Sequence, residues 1–568
     1  MAEPVRLRPQ PSAAPDIPQA IALHRQGRLG EAEQIYSAVL AKDPGQFDAL
    51  HLLGLARHQQ GRAVEALRLI GAALQARPDS PDAMSNYGLA LDALERHEEA
   101  LASFDRAIAL NRDHANAHNN RGLTLAALGR GAEALASWDR ALAADPGHVE
   151  ALHNRGNALY NLKHHAAALA DYDRFLAVQP DNLDVLNNRG GSFAALGRLA
   201  EALESYGRAI AIDPNRPELL INKAHVLADL HQFDQSLATY AQAAALEGKR
   251  AEAQWAASLV RLRLGQLAQG WQDYEWRWQQ ASWEPQRRDF AQPLWLGNEP
   301  LAGRTVLLHA EQGYGDTIQF VRYAKLVAGR GATVLLEVQP PLKALAGNID
   351  GVSQIFARGE ALPAFDRHCP LMSLPLAFGT LLDTVPADIP YLQAPADRLA
   401  EWQDRLGARA SLRVGIVWGG SPVHKNDHNR SIAFARFASL LSVPDIELVS
   451  IQKELSPADA SALRGHRNVI HLGPELRDFA DTAAVISLLD LVISADTSVV
   501  HLAGALGKPV WVLLPFSPDF RWLLAREDSP WYPSARLFRQ PRFGDWESVL
   551  DRVRLELEFL TRAHRETT

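Results

Sequence analysis

Cysteine is almost missing from this chain: one thiol, Cys369, stands among 568 residues. No internal disulfide can close, and no multi-thiolate zinc or iron–sulfur site can be built from one sulfur. That scarcity fits a reducing compartment. Long apolar runs are also missing. Nothing reaches the 18 or more apolar residues of a membrane span, and the opening MAEPVRLRPQPSAAPDIP has no apolar h-region of a signal peptide. The sequence therefore predicts a cytoplasmic chain with no membrane span. Positive charge is not in excess, since 58 Lys and Arg face 66 Asp and Glu for a net −8. No electrostatic footprint for nucleic acid is expected. What is present is an ordinary globular mix, 47% apolar and 22% charged, which excludes wholesale disorder. At roughly 150 residues per domain, the length predicts about four domains.

The first half repeats itself. Gly54, Gly88, Gly122, Gly156 and Gly190 fall 34 residues apart, as do Ala32, Ala66, Ala100, Ala134, Ala168 and Ala202, with Ser236 continuing the series. Pro44, Pro78, Pro146, Pro180 and Pro214 keep the period, with Arg112 replacing proline once. In the fourth unit Leu123, Leu125 and Leu128 stripe a first helix, Gly129-Arg130-Gly131 turns the chain, and Ala134, Leu135, Trp138 and Leu142 face back from a second helix. Asp145-Pro146-Gly147 then stops that helix. Period and pattern resemble the tetratricopeptide repeat over roughly residues 17–250. One helix pair cannot bury its apolar face, whereas about seven stacked pairs make a superhelix with a long concave surface.

A second ladder, Asn86, Asn120, Asn154, Asn188 and Asn222, keeps the same spacing. Asparagine is a mediocre helix former, and each amide offers two donors and an acceptor. The row resembles the asparagine ladder of eukaryotic O-linked N-acetylglucosamine transferases, which implies that it binds a protein or peptide acceptor by its backbone. The alternative is that these amides bond between repeats and stiffen the stack. Both readings stand at this point.

From about residue 251 the register fades into a stretch with Trp271, Trp276, Trp278 and Trp283. Large rings bury against something, so 251–296 reads as a helical connector or cap, with a carbohydrate-stacking platform as the alternative. Strand and helix signals then alternate, with strands expected at 304–309, 332–338, 352–358, 413–418, 446–452, 469–472, 491–495 and 509–515, and helices at 316–329, 432–442 and 498–507. Apolar strands with helical crossovers imply parallel sheets covered on both faces. The plan is thus a flexible tail (1–16), an all-α repeat array (17–250), the connector (251–296), and an α/β region in two doubly wound halves, 297–405 and 406–568, with a C-terminal helix. Ligands of such halves sit at the carboxyl ends of the strands.

Four segments there carry chemistry. His309-Ala310-Glu311-Gln312-Gly313-Tyr314-Gly315-Asp316 leaves a strand and opens a helix. Gly313 and Gly315 permit a close backbone approach, while Asp316 doubles as an N-terminal cap. Asp496, Thr497 and Ser498 follow another strand and open a small-residue helix holding His501, an anion site suited to a diphosphate. The alternative is a capped helix with His501 in the core. Gly419 to Ser431 is a polar loop whose Lys425 and Arg430 would neutralise a diphosphate, or lie exposed. Asp519-Phe520-Arg521-Trp522 with Trp531 and Tyr532 either contacts substrate or closes the domain.

The strand-GxGD motif followed much later by DTSxxHLAGALGKPV resembles the ADP-heptose:lipopolysaccharide heptosyltransferases, over roughly residues 300–540. That resemblance implies a GT-B architecture of two Rossmann-like halves and inverting, metal-independent transfer, with no cofactor beyond a nucleotide-diphosphate sugar donor. It implies Asp316 as general base, and Gly313, Gly315, Lys425, Arg430, Asp496, Thr497, Ser498 and His501 at the donor. Relatives combining repeats with such a half use a four-cysteine metal site, which Cys369 alone cannot supply. The expected activity is transfer of a sugar to a protein held by the repeats. Transfer to a glycan or lipid-linked acceptor, or a non-catalytic adaptor, are the other readings.

Overall fold

A computed structural model describes residues 16–408, 411–422, 426–437 and 439–567. The expected tail, 1–16, lies almost wholly outside the described residues, as does Lys425. The chain divides into two compact units, through Asp213 and from Pro214.

The first unit is six antiparallel helix pairs, from Ile17–Arg25 with Leu29–Lys42 to Leu183–Ala195 with Leu199–Ile212. Its glycine period has a packing cause. A Cβ on Gly54, Gly88, Gly122, Gly156 or Gly190 would stand 2.5–2.8 Å from the side chain sixteen residues on, namely Ile70, Phe104, Trp138, Tyr172 and Tyr206. The missing side chain lets each of these buried side chains pack directly against the first helix. The turns between paired helices need a left-handed residue, supplied by Gly27, Gly61, Gly129 and Gly197 at φ of 72–77°. Glu95 and Lys163 hold the same conformation at φ 59° and 62°, against the preference of side-chain-bearing residues.

In the second unit the register runs one repeat beyond the sequence reading. Pro217–Asp229 pairs with Phe233–Ala245, and Arg250–Arg263 pairs with Leu267–Tyr274. His231 (φ 59°) and Gly265 (φ 76°) continue the left-handed turn series, and Tyr240 and Tyr274 the buried-ring series. The eighth repeat escapes notice because Gly248, Ala256 and Ser258 stand where proline, asparagine and glycine mark the others. Residues 251–274 are therefore a further helix pair rather than a connector; 275–286 forms two 3₁₀ turns, and the chain then runs without helix or strand to β1.

Two all-parallel sheets follow. The first has the order β3-β2-β1-β4, with β1 Thr305–His309, β2 Thr333–Val338, β3 Val352–Ala357 and β4 Arg367–Pro370. The second has the order β10-β9-β8-β5-β6-β7, with β5 Leu412–Val417, β6 Ile446–Ser450, β7 Val469–His471, β8 Leu491–Ala495, β9 Val510–Leu514 and β10 Ala535–Arg539. Counted within its own half, this is 3-2-1-4-5-6, the doubly wound nucleotide-binding order. Strands β4 and β10 are absent from the sequence expectation. β4 is four residues long, and β10 (ARLFR) carries two arginines, of which Arg536 pairs with Glu556 at 2.8 Å. Both are edge strands, where apolar patterning weakens. The helix expected at 316–329 breaks into Tyr314–Phe320, a 3₁₀ turn and Ala324–Gly329, and that at 432–442 shrinks to Phe434–Phe437 and a 3₁₀ turn.

In each sheet the order reverses between a first strand and the one beside it: β1 and β4, then β5 and β8. Crevices open at such switch points. The last helix pair packs beside the first of them. Trp271 meets Phe320 and Phe520 edge-on, at ring distances of 6.2 and 5.8 Å, and Gln312 Nε2 donates to Tyr274 Oη at 2.7 Å. Trp271 is buried core, which is the docking role expected of the tryptophan stretch.

Candidate functional site at the two switch points

The turn after β1 places Gly313 at the N-terminus of helix Tyr314–Phe320. Gly313 N–H donates to Asp316 Oδ2 at 2.8 Å, the capping contact expected. The other carboxylate oxygen accepts from Arg521 Nη2. Arg521 is buried and fully engaged: Nε donates to Gln319 Oε1 at 2.7 Å and Nη1 to Asp519 Oδ1 at 2.8 Å. Burial opposes its charge, but Asp519 and Asp316 outweigh that and hold it more firmly protonated than an ordinary arginine. Asp316 keeps 21% of its side chain exposed, so the carboxylate is oriented by Arg521 yet accessible.

Helix Ser498–Ala505 leaves β8 and lies against helix Tyr314–Phe320. A Cβ on Gly315 would stand 2.8 Å from His501 Cδ2 and 3.5 Å from Ser498 Cα. Gly315 is therefore a contact between the two halves, and the GxGD and DTS segments come together across it. Thr497 caps the second helix, its hydroxyl accepting from Val499 N–H at 3.3 Å. Asp496 is pushed up to about 6 by burial and by the nearby negative charge of Asp519. Arg430 Nη1 donates to Asp496 O at 3.1 Å, and Arg430 Nε faces Asp427 at 3.4 Å. Far from lying exposed, Arg430 ties the loop after β5 to the loop after β8 at their switch point. Gln452 supports the same loop, its Oε1 accepting from Trp418 and Gly419 N–H at 3.1 and 3.0 Å.

His501 sits in the core beneath this site. It stacks on Trp522 at 5.6 Å and contacts Tyr532 Oη through Nδ1 at 3.1 Å. Burial first, and Arg521 second, lower it to about 3. Its place is as a neutral core histidine. The unfolded chain binds that proton near pH 6.5, so His501 favours folding above that value and loses the contribution as pH falls toward 3. A His501→Gln protein should accordingly differ from the parent less at pH 5 than at pH 7.5. The gap should close by about 2 kcal/mol, read from denaturant midpoints at the two pH values.

Two further groups shape the site. Arg521 lies within the aromatic segment 519–522, where the Asp519-x-Arg521 spacing is its signal in the sequence. Glu311, inside the first motif, is 3% exposed. Its Oε1 accepts from Met372 N–H at 3.1 Å and faces Arg277 at 3.4 Å. Burial, only partly opposed by Arg277, pushes it up to about 7. Cys369 lies buried in β4, its thiol raised by burial.

The asparagine ladder lies in the first unit except for its last rung. Asn86 Nδ2 contacts His51 Nε2 at 2.8 Å, Asn120 Nδ2 donates to Ser85 at 3.5 Å, Asn154 to Asn119 at 3.0 Å and Asn188 to Asn157 at 3.0 Å. Each bond reaches the preceding repeat, so the ladder does stitch the stack. All five residues nonetheless remain half-exposed. The arginines beside three of the rungs, Arg121, Arg155 and Arg189, are tied to aspartates as well; Arg155 binds Asp171 and Asp139, both at 2.6 Å.

This architecture defines a chain of helix-pair repeats joined to a parallel α/β region. Residues 17–81, 60–112, 86–149 and 153–217 match one tetratricopeptide-repeat family and 193–261 another, so the first ~260 residues are tetratricopeptide repeats. Protein FlbA of Caulobacter vibrioides is 26% identical over 328 residues, 53% of this chain and 54% of FlbA. The chain thus spans about half the length of that curated relative. Among solved structures, PilW, a type IV pilus biogenesis factor, is 24% identical over 36% of this chain and 94% of its own, with TM-score 0.33. YrrB, a repeat protein with an unusual peptide-binding site, is 20% identical over 33% and 95%, with TM-score 0.28. Among the described residues no helix is long and apolar enough to cross a membrane.

Proposed function

We propose that this protein is a glycosyltransferase that moves a sugar from a nucleotide-diphosphate donor to a protein or peptide bound by its repeats. The observation that carries the reading is the convergence, at adjoining switch points, of an accessible carboxylate and a helix N-terminus backed by cations. Asp316 takes the proton of an acceptor hydroxyl as that oxygen attacks the anomeric carbon. The bond from that carbon to the diphosphate breaks, and its electron pair leaves on the phosphate oxygen. The amides opening helix Ser498–Ala505 and the Arg430 guanidinium meet the departing charge. Lys425 belongs to the same polar loop and is assigned there on sequence alone. Repeat stacks offer extended surfaces for polypeptides, and the half-exposed ladder amides are suited to bond an acceptor backbone.

Thermal unfolding of the full chain against a panel of nucleotide sugars tests this. One donor should raise the midpoint, and 100-fold excess over its Kd is worth about 2.7 kcal/mol. That donor should then support transfer to a polypeptide. If no nucleotide sugar shifts the midpoint, the adaptor reading replaces this one; if only glycans accept the sugar, the acceptor assignment falls.

A further inference from the structure

Beside the Asp316 turn lies a cavity of about 380 Å³ that the transfer step above does not use. Its wall includes Trp283, Gln286, Glu311, Gln312 and Arg358. Glu311 is the anomaly. One oxygen is satisfied by the Met372 amide, while Oε2 is buried without a hydrogen-bond partner. Buried polar atoms in folded proteins are nearly always paired, and an orphan on a residue that lines a cavity points to a ligand group that pairs it.

We propose that this cavity is a monosaccharide subsite, in which Glu311 Oε2 accepts hydroxyls of a neutral sugar ring packed against Trp283. The wall selects that chemistry. A wholly apolar ligand would leave Glu311 Oε2 and Gln286 Oε1, both buried without a partner, unmet. A sugar has an apolar C–H face for an aromatic wall and a hydroxyl rim for the carboxylate and amides. The volume lies at the small end of ligand pockets and suits one ring. Trp283 is held in place by edge contacts with Trp255 and Trp278, both at 6.0 Å. The proposal rests on the glycosyltransferase reading only for the sugar's source, which is either the donor itself or a sugar already on the acceptor.

Saturation-transfer NMR on the full chain tests it, with free hexoses, N-acetylhexosamines, disaccharides, intact nucleotide sugars and bare nucleoside diphosphates as probes. Sugar protons should receive saturation, and affinity should fall at least tenfold in Glu311→Gln and in Trp283→Leu, with bare diphosphate binding unchanged. Signals confined to nucleotide sugars assign the ring to the donor; signals from disaccharides assign it to the acceptor. Sugar signals of undiminished affinity in both variants, or none from any probe, overturn the subsite. If bare diphosphates bind and sugars add nothing, the subsite falls while the donor reading stands. If free sugars bind through Glu311 and no nucleotide binds, the subsite stands without the transferase. The Trp283 variant alters a half-buried wall and keeps the test decisive should Glu311→Gln unfold.

Discussion

Replacing Asp316 by asparagine is expected to lower transfer by about 10²–10⁴-fold, the range of general-base assistance. The variant is chosen for what it preserves. The amide oxygen can still accept from Gly313 N–H, the capping contact of this side chain. The capacity to take a proton disappears, and with it the negative charge that faces Arg521. The melting midpoint should fall less than on loss of Arg521, because the Gly313 cap is retained and Arg521 keeps Asp519 as its ion-pair partner. Stabilisation by the donor should persist. Steady-state transfer assays beside melting curves read both quantities, and turnover within tenfold of the parent would remove Asp316 from the base role.

The second large effect is expected at Arg521. Its guanidinium is buried and satisfies oxygens of Asp316, Asp519 and Gln319, with Phe520 packed 4.4 Å below it. Arg521→Met leaves Asp316 and Asp519 facing each other's surroundings without a cation. Breaking one side of a buried ion pair costs about 3–5 kcal/mol, so the denaturant midpoint should drop strongly and activity with it. The double variant Arg521→Met, Asp316→Asn should recover part of that stability, since one stranded charge is gone. Strict additivity of the two losses would mean that the pair does not interact as described. A lysine at 521 should rescue poorly, because a point charge cannot span three acceptors.

Much of this organisation was readable from the amino-acid order, and the limits have physical causes. The glycine period announced helix pairs because each Gly makes room for one large apolar side chain sixteen residues later, a constraint local enough to repeat. The eighth pair escaped because its ring and turn kept the register while its proline, asparagine and glycine markers did not. Strand positions in the parallel sheets were legible from unbroken apolar runs such as LVISA, whereas β4 and β10 sit at edges and mix in His and Arg. The motif segments holding Asp316, Thr497 and Arg430 stood out by composition. What composition could not convey was pairing across distance. Arg521 lies 205 residues from Asp316, and Glu311 is set apart by an oxygen that nothing touches, which no spacing encodes.

Tyr274 belongs to two patterns at once. It stands at the eighth position of the buried series that fills each helix pair, and its hydroxyl holds Gln312 at the mouth of the Asp316 turn. The apolar side chain of that series repeats from pair to pair, so by pattern alone the modules are interchangeable. The final module has no such freedom. It is interchangeable by pattern and fixed by position, because its tyrosine hydroxyl also accepts from Gln312 after β1.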